Sequence, residues 1–530
     1  MKIMFIGADH EVTGSCHYVE CGNKKFVVDY GMEQGINIYE NVEMPVSAAE
    51  LDFILLTHAH IDHSGLLPLL YAKGFRGKIY ATKATTDLCR IMLQDSAHIQ
   101  EFEAEWRNRK ARRSGKPEVI PTYTVEDAIN VMDLFVPCAY SQKISLYDNI
   151  DIRFTDIGHL LGSSSIEVWL REGENDRKLV FSGDIGNYDQ PLIKDPQYTD
   201  EADYVIMEST YGDRLHGKHP DYVSELAGVI QRTFDRGGNV VIPSFAVGRT
   251  QELLYYIRQM KEEELVKNHG DFKVIVDSPL AVEATHIFHK DVEETYDEEA
   301  MDLVNKGINP ISFSNLQLSI TTEESKAINF DEEPKVIISA SGMCDAGRIR
   351  HHLKWNLWKP ENTIVFVGYQ AYGTLGRYLI EGAKEVKLFG EVIQVQAKII
   401  QMDGMSGHAD KNGLIRWVNE FKKKPQLVFV VHGEDKVCDI FAQCLKEEYG
   451  YETNAPYSGD VFDLIEGRWI GWGTRELVKK KTRKESNAYV RLKGACDLLS
   501  KVIAQNEGGT NKDLGKFADQ ILALCEKWQR

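Results

Sequence analysis

The sequence predicts an α/β protein whose chemistry lies on loops leaving strand ends, for three reasons. The apolar run Phe53-Ile54-Leu55-Leu56 is followed after Thr57 by four metal-competent side chains, His58, His60, Asp62 and His63, within six residues. Four continuous apolar runs, at 239–243, 273–276, 335–339 and 363–367, alternate with helical stretches at 248–265, 281–305, 345–358 and 374–382. Continuous apolar strands separated by helices form a parallel sheet covered on both faces. Finally, 530 residues with 43% hydrophobic and 27% charged side chains can bury the cores of two or three domains, as a globular enzyme does.

In chain order, 2–7, 17–21 and 24–30 read as antiparallel strands joined by tight turns, with Asp29 closing the third. Residues 52–57 and 78–81 are further strands. Leu66, Leu67, Leu69 and Leu70 read as the buried face of a helix capped by Ser64. A long helix over 85–113 ends in the basic run Arg107, Arg109, Lys110, Arg112 and Arg113, with Lys116 beyond, and Ser114-Gly115-Lys116-Pro117 breaks it. Thr124 caps a short helix over 123–132. Residues 151–186 return to strands, and two turns there, Gly158-His159 and Gly183-Asp184, place a glycine before a metal-competent side chain. Another apolar run ends in Glu208. After the inserted parallel segment, Met405-Ser406-Gly407-His408-Ala409-Asp410 opens a helix, and the strand 426–431 ends in His432-Gly433-Glu434. Residues 435–449 are helical, and the chain beyond about 470 is charged and helix-prone.

Composition excludes several classes. No apolar run is long enough to span a bilayer, and the apolar segment after Met1 is too short for a signal peptide. Nine scattered cysteines with no Cys-x-x-Cys argue against a disulfide scaffold or a zinc ribbon and point to reduced thiols in the cytoplasm. The net charge of −18 disfavours a broadly basic nucleic-acid surface, while leaving room for a local groove or for metal ions to carry positive charge. The basic runs at 107–113 and 479–484 read first as solvated helix faces.

The central motif has its own geometry. His58 and His60, two apart in extended chain, project from one side and can grip one ion. Asp62 and His63 lie past the turn into the helix and can hold a second. Imidazole nitrogen with one carboxylate suits zinc, with manganese or iron as competitors. A loop of surface histidines is the alternative, and such clustering in a chain with 16 histidines argues against it.

This His-x-His-x-Asp-His motif resembles that of the metallo-β-lactamase superfamily. The resemblance implies an αβ/βα sandwich holding two zinc ions: His58, His60 and His159 on one, Asp62 and His63 on the other, Asp184 bridging, and His432 as the last ligand. Asp29 is then expected to accept the free N–H of a ligating histidine. With its parallel-sheet insertion, the chain resembles the β-CASP nucleases, whose further motifs match at Glu208, at His408 and at His432. Within that group it looks most like the branch of the cleavage and polyadenylation factor endonuclease subunit and its prokaryotic relatives, with RNase J second. The expected domains are 1–210 and 386–468 for the sandwich, 211–385 for the β-CASP insertion, and 469–530 for a helical extension left for oligomerisation or an RNA-processing partner.

The resemblance implies a zinc-dependent ribonuclease that uses a dimetal-activated hydroxide and leaves 5′-phosphate and 3′-hydroxyl ends. Asp62 would orient the hydroxide, His408 would protonate the leaving oxygen, and Glu208 would hold His408 charged. His408 favours RNA over DNA, because the DNA-repair branch typically carries a different residue there. Expected substrate contacts are Ser244 and Arg249, in a strand-to-helix turn that can take a phosphate, Ser341 and Gly342 past a strand end, and Thr374 and Arg377 in a stretch resembling a phosphate-contacting one. Rival readings are a hydrolase of thioesters, lactams or cyclic nucleotides, a DNA nuclease, and a scaffold subunit that has lost its metal.

Overall fold

A computed structural model describes the chain except residues 36–37, 115–116, 218–220, 291, 369, 371–372, 403–404, 479–495, 497–498, 501 and 529–530. Met1–Glu476 form one compact unit, and Leu477–Arg530 a second. The described part of the second includes the helix Asn511–Trp528, in which no residue is buried. The basic run expected at 479–484 lies outside the described residues.

Two sheets make the sandwich. From edge to edge, the first runs Arg468–Gly471, Val461–Asp463, Lys2–Gly7, Cys16–Cys21, Lys24–Val28, Phe53–Leu55, Lys78–Thr82 and Phe135–Cys138. The second runs Thr453–Asn454, Leu427–Val431, Tyr204–Glu208, Asn175–Phe181, Ser164–Glu172, Ile150–Asp156 and Ile144–Tyr147. Their facing side chains, among them Phe5, Phe26, Phe53, Phe154, Ile166 and Phe429, form one core. The outer face of the second sheet is covered by Leu414, Trp417, Phe441 and Leu445 from the helices Lys411–Asn419 and Asp435–Tyr449.

The insertion is a six-stranded parallel sheet in the order Leu316–Ser319, Lys273–Asp277, Lys335–Ser339, Val240–Pro243, Thr363–Phe366 and Lys398–Gln401. Val240, Ile242, Val274, Val276, Val336 and Ile338 pack into one core, while Val241, Ile275, Ile337, Ile364 and Phe366 pack into another on the opposite face. Alternate residues thus bury on opposite sides, so the strands read as unbroken apolar runs. Two strands cross the expected domain limits: Lys398–Gln401 lies past 385 yet belongs to the inserted sheet, and Arg468–Gly471 carries the sandwich past 468.

Three local expectations are corrected. Lys2–Gly7 and Cys16–Cys21 pair antiparallel, but a long loop joins them, not a tight turn. The stretch 281–305 is not one helix. Helix is described over Pro279–Lys290 and Val292–Thr295, and it ends before Glu298–Asn305, where Asp297 accepts from the Ala300 N–H and starts a new helix. Ser64 caps nothing. It ends the short helix Ile61–Ser64, and its hydroxyl donates to the carbonyls of Ala59 and His60.

Candidate active site

The site lies where strands of both sandwich sheets run out. The loop after Phe53–Leu55 carries His58 and His60, and the helix turn Ile61–Ser64 carries Asp62 and His63. Ile150–Asp156 leads to His159, Asn175–Phe181 to Asp184, Tyr204–Glu208 ends in Glu208 itself, and Leu427–Val431 delivers His432. Asp29, His159 and His432 all sit at positive φ, a region that non-glycine residues occupy only when surrounding contacts impose it. Gly186 packs so closely on the His159 loop that a Cβ there would strike the His159 backbone nitrogen.

Two clusters form. His58 Nε2 and His159 Nε2 each lie 3.1 Å from His60 Nδ1, and Asp184 Oδ2 is 3.4 and 3.5 Å from the two Nε2 atoms. His63 Nε2 lies 3.0 Å from His432 Nε2, with Asp184 Oδ1 at 3.3 Å from His63 and Asp62 Oδ2 at 3.8 Å from His432. Asp184 thus turns one oxygen to each cluster. The four Nε2 donors are aimed from behind through their other ring nitrogen. His58 Nδ1 meets Thr57 Oγ1 at 3.1 Å, His159 Nδ1 donates to the Gly407 carbonyl at 3.2 Å, and His432 Nδ1 meets Thr210 Oγ1 at 3.2 Å. His63 Nδ1 donates to Asp29 Oδ2 at 2.7 Å. Asp29 also accepts from the Thr57 N–H and hydroxyl, at 2.8 and 2.9 Å. A carboxylate behind a histidine in this way fixes its tautomer and raises its basicity.

This donor set fits metal ions. Nitrogen faces nitrogen at 3.0–3.1 Å, close to the roughly 3.3 Å edge of a tetrahedron whose centre lies about 2.0–2.1 Å from each nitrogen. Among the described residues, buried Asp184 Oδ1 has no hydrogen-bond partner. Burial, reinforced by neighbouring His58, pushes His60 down to about 3, and burial also lowers His58 and His159, which keeps these rings in the neutral form that ligates. Burial would lower His63 too, but Asp184 and Asp29 outweigh it and raise the ring well above its ordinary value.

A third group stands beside these. His408 Nδ1 lies 3.2 and 3.3 Å from the two Glu208 oxygens, and its Nε2 is 3.9 Å from Asp184 Oδ2. Glu208 is buried and held by the N–H groups of Ile185 and Thr210. Burial opposes charge on His408, but Glu208 and then Asp184 outweigh it and hold the ring at about 9, cationic at neutral pH. His216 Nε2 meets the His408 carbonyl at 2.9 Å, and the Tyr211 ring lies 6.2 Å from the His408 ring. Sequence reasoning missed Thr57, Thr210 and His216. Thr57 was visible as the residue joining the strand to the motif, whereas the other two had no signal.

The expected substrate contacts are less open than the sequence suggests. Ser244 is buried, with its hydroxyl oxygen 3.1 Å from that of Thr250. Arg249 pairs with Glu252 and donates to the Met405 carbonyl at 2.5 Å, so it ties the insertion to the loop that leads to His408. The Gly248 N–H at the same helix start is taken by the Gln251 side chain. Ser341 Oγ accepts from the Ala346 N–H, Thr374 caps the helix Leu375–Ile380, and Arg377 pairs with Glu381. In the first basic run, Arg107, Arg109 and Arg112 pair with Glu103, Glu105 and Glu118. All nine cysteines are free, and no described helix is long and apolar enough to cross a membrane.

A histidine–aspartate centre at the strand ends of an αβ/βα sandwich, beneath a parallel-sheet insertion, defines the class of metallo-β-lactamase-fold proteins that carry a β-CASP domain. Comparison with known families agrees: residues 18–186 match the metallo-β-lactamase superfamily domain, 250–379 the Beta-Casp domain, and 392–456 the Zn-dependent metallo-hydrolase RNA specificity domain. The chain is 35% identical to ribonuclease TTHA0252 of Thermus thermophilus over 82% of its own length and 94% of that protein's. It is 30% identical to transcription termination factor FttA of Methanocaldococcus jannaschii, over 87% of this chain and 71% of FttA. An RNase J-like protein of the same organism is 29% identical over 87% of this chain and 99% of its own. The chain belongs to the β-CASP family of the metallo-β-lactamase superfamily.

Proposed function

We propose that this chain is a metal-dependent phosphodiester hydrolase acting on RNA, with two zinc ions, or manganese or iron in their place, leaving 5′-phosphate and 3′-hydroxyl ends. The convergence of His58, His60, His159, Asp62, His63, His432 and the shared Asp184 carries the metal reading. The matched RNA specificity domain and the ribonuclease relative support RNA as substrate. When bound, the ions supply a nucleophilic hydroxide near neutral pH and neutralise charge on the phosphodiester.

The residues of the chain do the rest. Asp62, at the edge of the second cluster, accepts a hydrogen bond from the attacking water and orients it. Asp29 and Thr57 hold the ligating rings in register. His408 is the proton donor to the leaving ribose oxygen, and Glu208 keeps it charged. A small-molecule hydrolase has no use for this extra charged histidine, and a metal-free scaffold would have no reason to keep seven convergent donors.

The test is digestion of end-labelled single-stranded RNA, alongside a thioester panel and single-stranded DNA. Cleavage abolished by chelator, restored by zinc, and reduced about 10²- to 10⁴-fold in His408→Ala is expected. Chelator-insensitive cleavage, or activity on thioesters alone, would overturn the proposal. A ladder of products or mononucleotides alone will separate internal from terminal cutting.

A further inference from the structure

The loop between the strand Val240–Pro243 and the helix Arg249–Glu262 is built around an aromatic side chain that the reaction above does not use. Phe245 is 47% exposed, although the residues before and after it, Ser244 and Ala246, are buried. Its backbone is fixed: the Phe245 carbonyl accepts from Thr250 Oγ1 at 2.7 Å and from Ser244 Oγ at 3.2 Å, and the Ser244 N–H donates to the Ser339 carbonyl at 3.1 Å. The ring edge packs on Gly342, where a Cβ would lie 3.2 and 3.3 Å from Phe245 Cδ2 and Cε2. Gly342 follows the adjacent strand Lys335–Ser339, since Pro243 and Ser339 are paired. The ring is therefore presented from a hydrogen-bonded turn, past the carboxyl ends of two neighbouring parallel strands.

The same loop touches residues that flank the reaction centre on two sides. At its far end, Gly248 backs onto Leu160, the residue after His159, with a Cβ position 3.1 Å from Leu160 Cδ1. Arg249 holds the Met405 carbonyl, three residues before His408. Phe245 is four residues from Arg249, a chain reach of no more than about 14 Å. A ring held on one edge by Gly342 and left 47% exposed at this position offers a face for a ligand.

We infer that Phe245 is a stacking platform for one nucleobase of the substrate, within a few nucleotides of the cleaved phosphodiester, and that Gly342 lacks a side chain so that the ring can lie there. A ring face recognises any base through π-stacking, so this contact gives grip and register without sequence choice. It also suits a chain with a net charge of −18, which cannot rely on a broad basic surface to hold RNA. The inference rests on the RNA reading of the site.

The test is steady-state cleavage of a single-stranded RNA in which an abasic ribose is moved one position at a time. In the wild type, one position near the cut should lower kcat/KM by about 5- to 100-fold, mostly through KM. Phe245→Ala and Phe245→Leu should lower cleavage of the intact RNA by a similar factor, with bound metal unchanged, and should be indifferent to the abasic site at that one position. Phe245→Trp should restore the dependence, and Gly342→Ala, which displaces the ring, should weaken it. If Phe245→Ala or Phe245→Leu cleaves intact RNA as the wild type does, or loses activity with the abasic dependence intact, the stacking role is wrong while the ribonuclease reading stands. If the wild type cleaves no RNA at all, the reading of the site fails and this inference fails with it.

Discussion

Two buried aspartates, Asp184 in the sandwich and Asp277 in the inserted sheet, use similar neighbours to opposite ends. Asp277 closes its strand fully buried. Its oxygens accept from Arg348 Nη1 at 2.7 Å, from Ser325 Oγ at 2.6 Å and from His352 Nε2 at 2.6 Å. His352 Nδ1 in turn meets Asn329 Oδ1 at 3.0 Å, so both ring nitrogens face oxygens. Burial opposes charge on Asp277, but His352, Ser325 and Arg348 outweigh it and lower its carboxyl to about 2. Asp184 is as deeply buried and also surrounded by histidines, yet Oδ1 has no hydrogen-bond partner among the described residues and the ring nitrogens beside it face one another. The Asp277 cluster is complete as protein. The Asp184 cluster leaves donors facing donors, an arrangement that bound cations would satisfy. Residue types alone do not separate a structural ion network from a metal site; the pairing of donors with acceptors does.

The largest consequence falls on Asp184. Asp184→Asn keeps the shape but removes the charge that faces both clusters. Bound metal measured by elemental analysis should fall, and RNA cleavage should drop roughly 10³-fold or more. Zinc should raise the melting temperature of the wild type, and that rise should shrink in this variant. Full metal content in this variant would break the contrast. Asp277→Ala should behave in the opposite way. It strands buried His352 and takes one partner from the half-buried Arg348, and should cost about 1–3 kcal/mol of stability, read by denaturant titration, while the folded fraction keeps its full complement of metal. Loss of metal in proportion to loss of stability would show that the two clusters are not independent.

The sequence carried the Asp184 cluster and hid the Asp277 one, and the reason is spacing. His58, His60, Asp62 and His63 crowd into one turn and were legible by spacing; a glycine marks the loops of His159 and Asp184, and the resemblance to the metallo-β-lactamase superfamily joined these and His432 to the set. Asp277, Ser325, Asn329, Arg348 and His352 are scattered over three elements, and only the parallel register brings them together. The inserted sheet itself was legible because both of its faces are buried, which leaves continuous apolar runs. Helix ends and loop contacts were less so. Ser64 looks like a cap by residue type, but it falls at the end of a turn that His60 opens. Arg249 looks like a phosphate ligand at a helix start, yet Glu252 and the Met405 carbonyl already take its donors. In both cases the deciding partner lies where a linear pattern cannot point.

Asp156 sharpens the comparison from between the two cases. It ends the strand that leads to His159, is 5% exposed, and its side chain accepts from the Gly158 N–H at 3.0 Å. Burial raises its carboxyl to about 7, with only partial relief from Gly158 and Lys194. Between the unfolded value near 3.8 and about 7, the folded chain therefore holds a proton that the unfolded chain has lost. This contribution to stability is fully present below about 4 and fades as pH rises through 7. Asp156→Asn keeps an acceptor for Gly158 and cannot ionise. Measured against the wild type, its stability should improve by on the order of 2 kcal/mol between pH 5 and pH 8, on top of whatever constant offset the amide brings. Parallel melting curves for the two proteins across that range would mean that Asp156 is already ionised and paired like Asp277, and the distinction among the three buried acids would reduce to two.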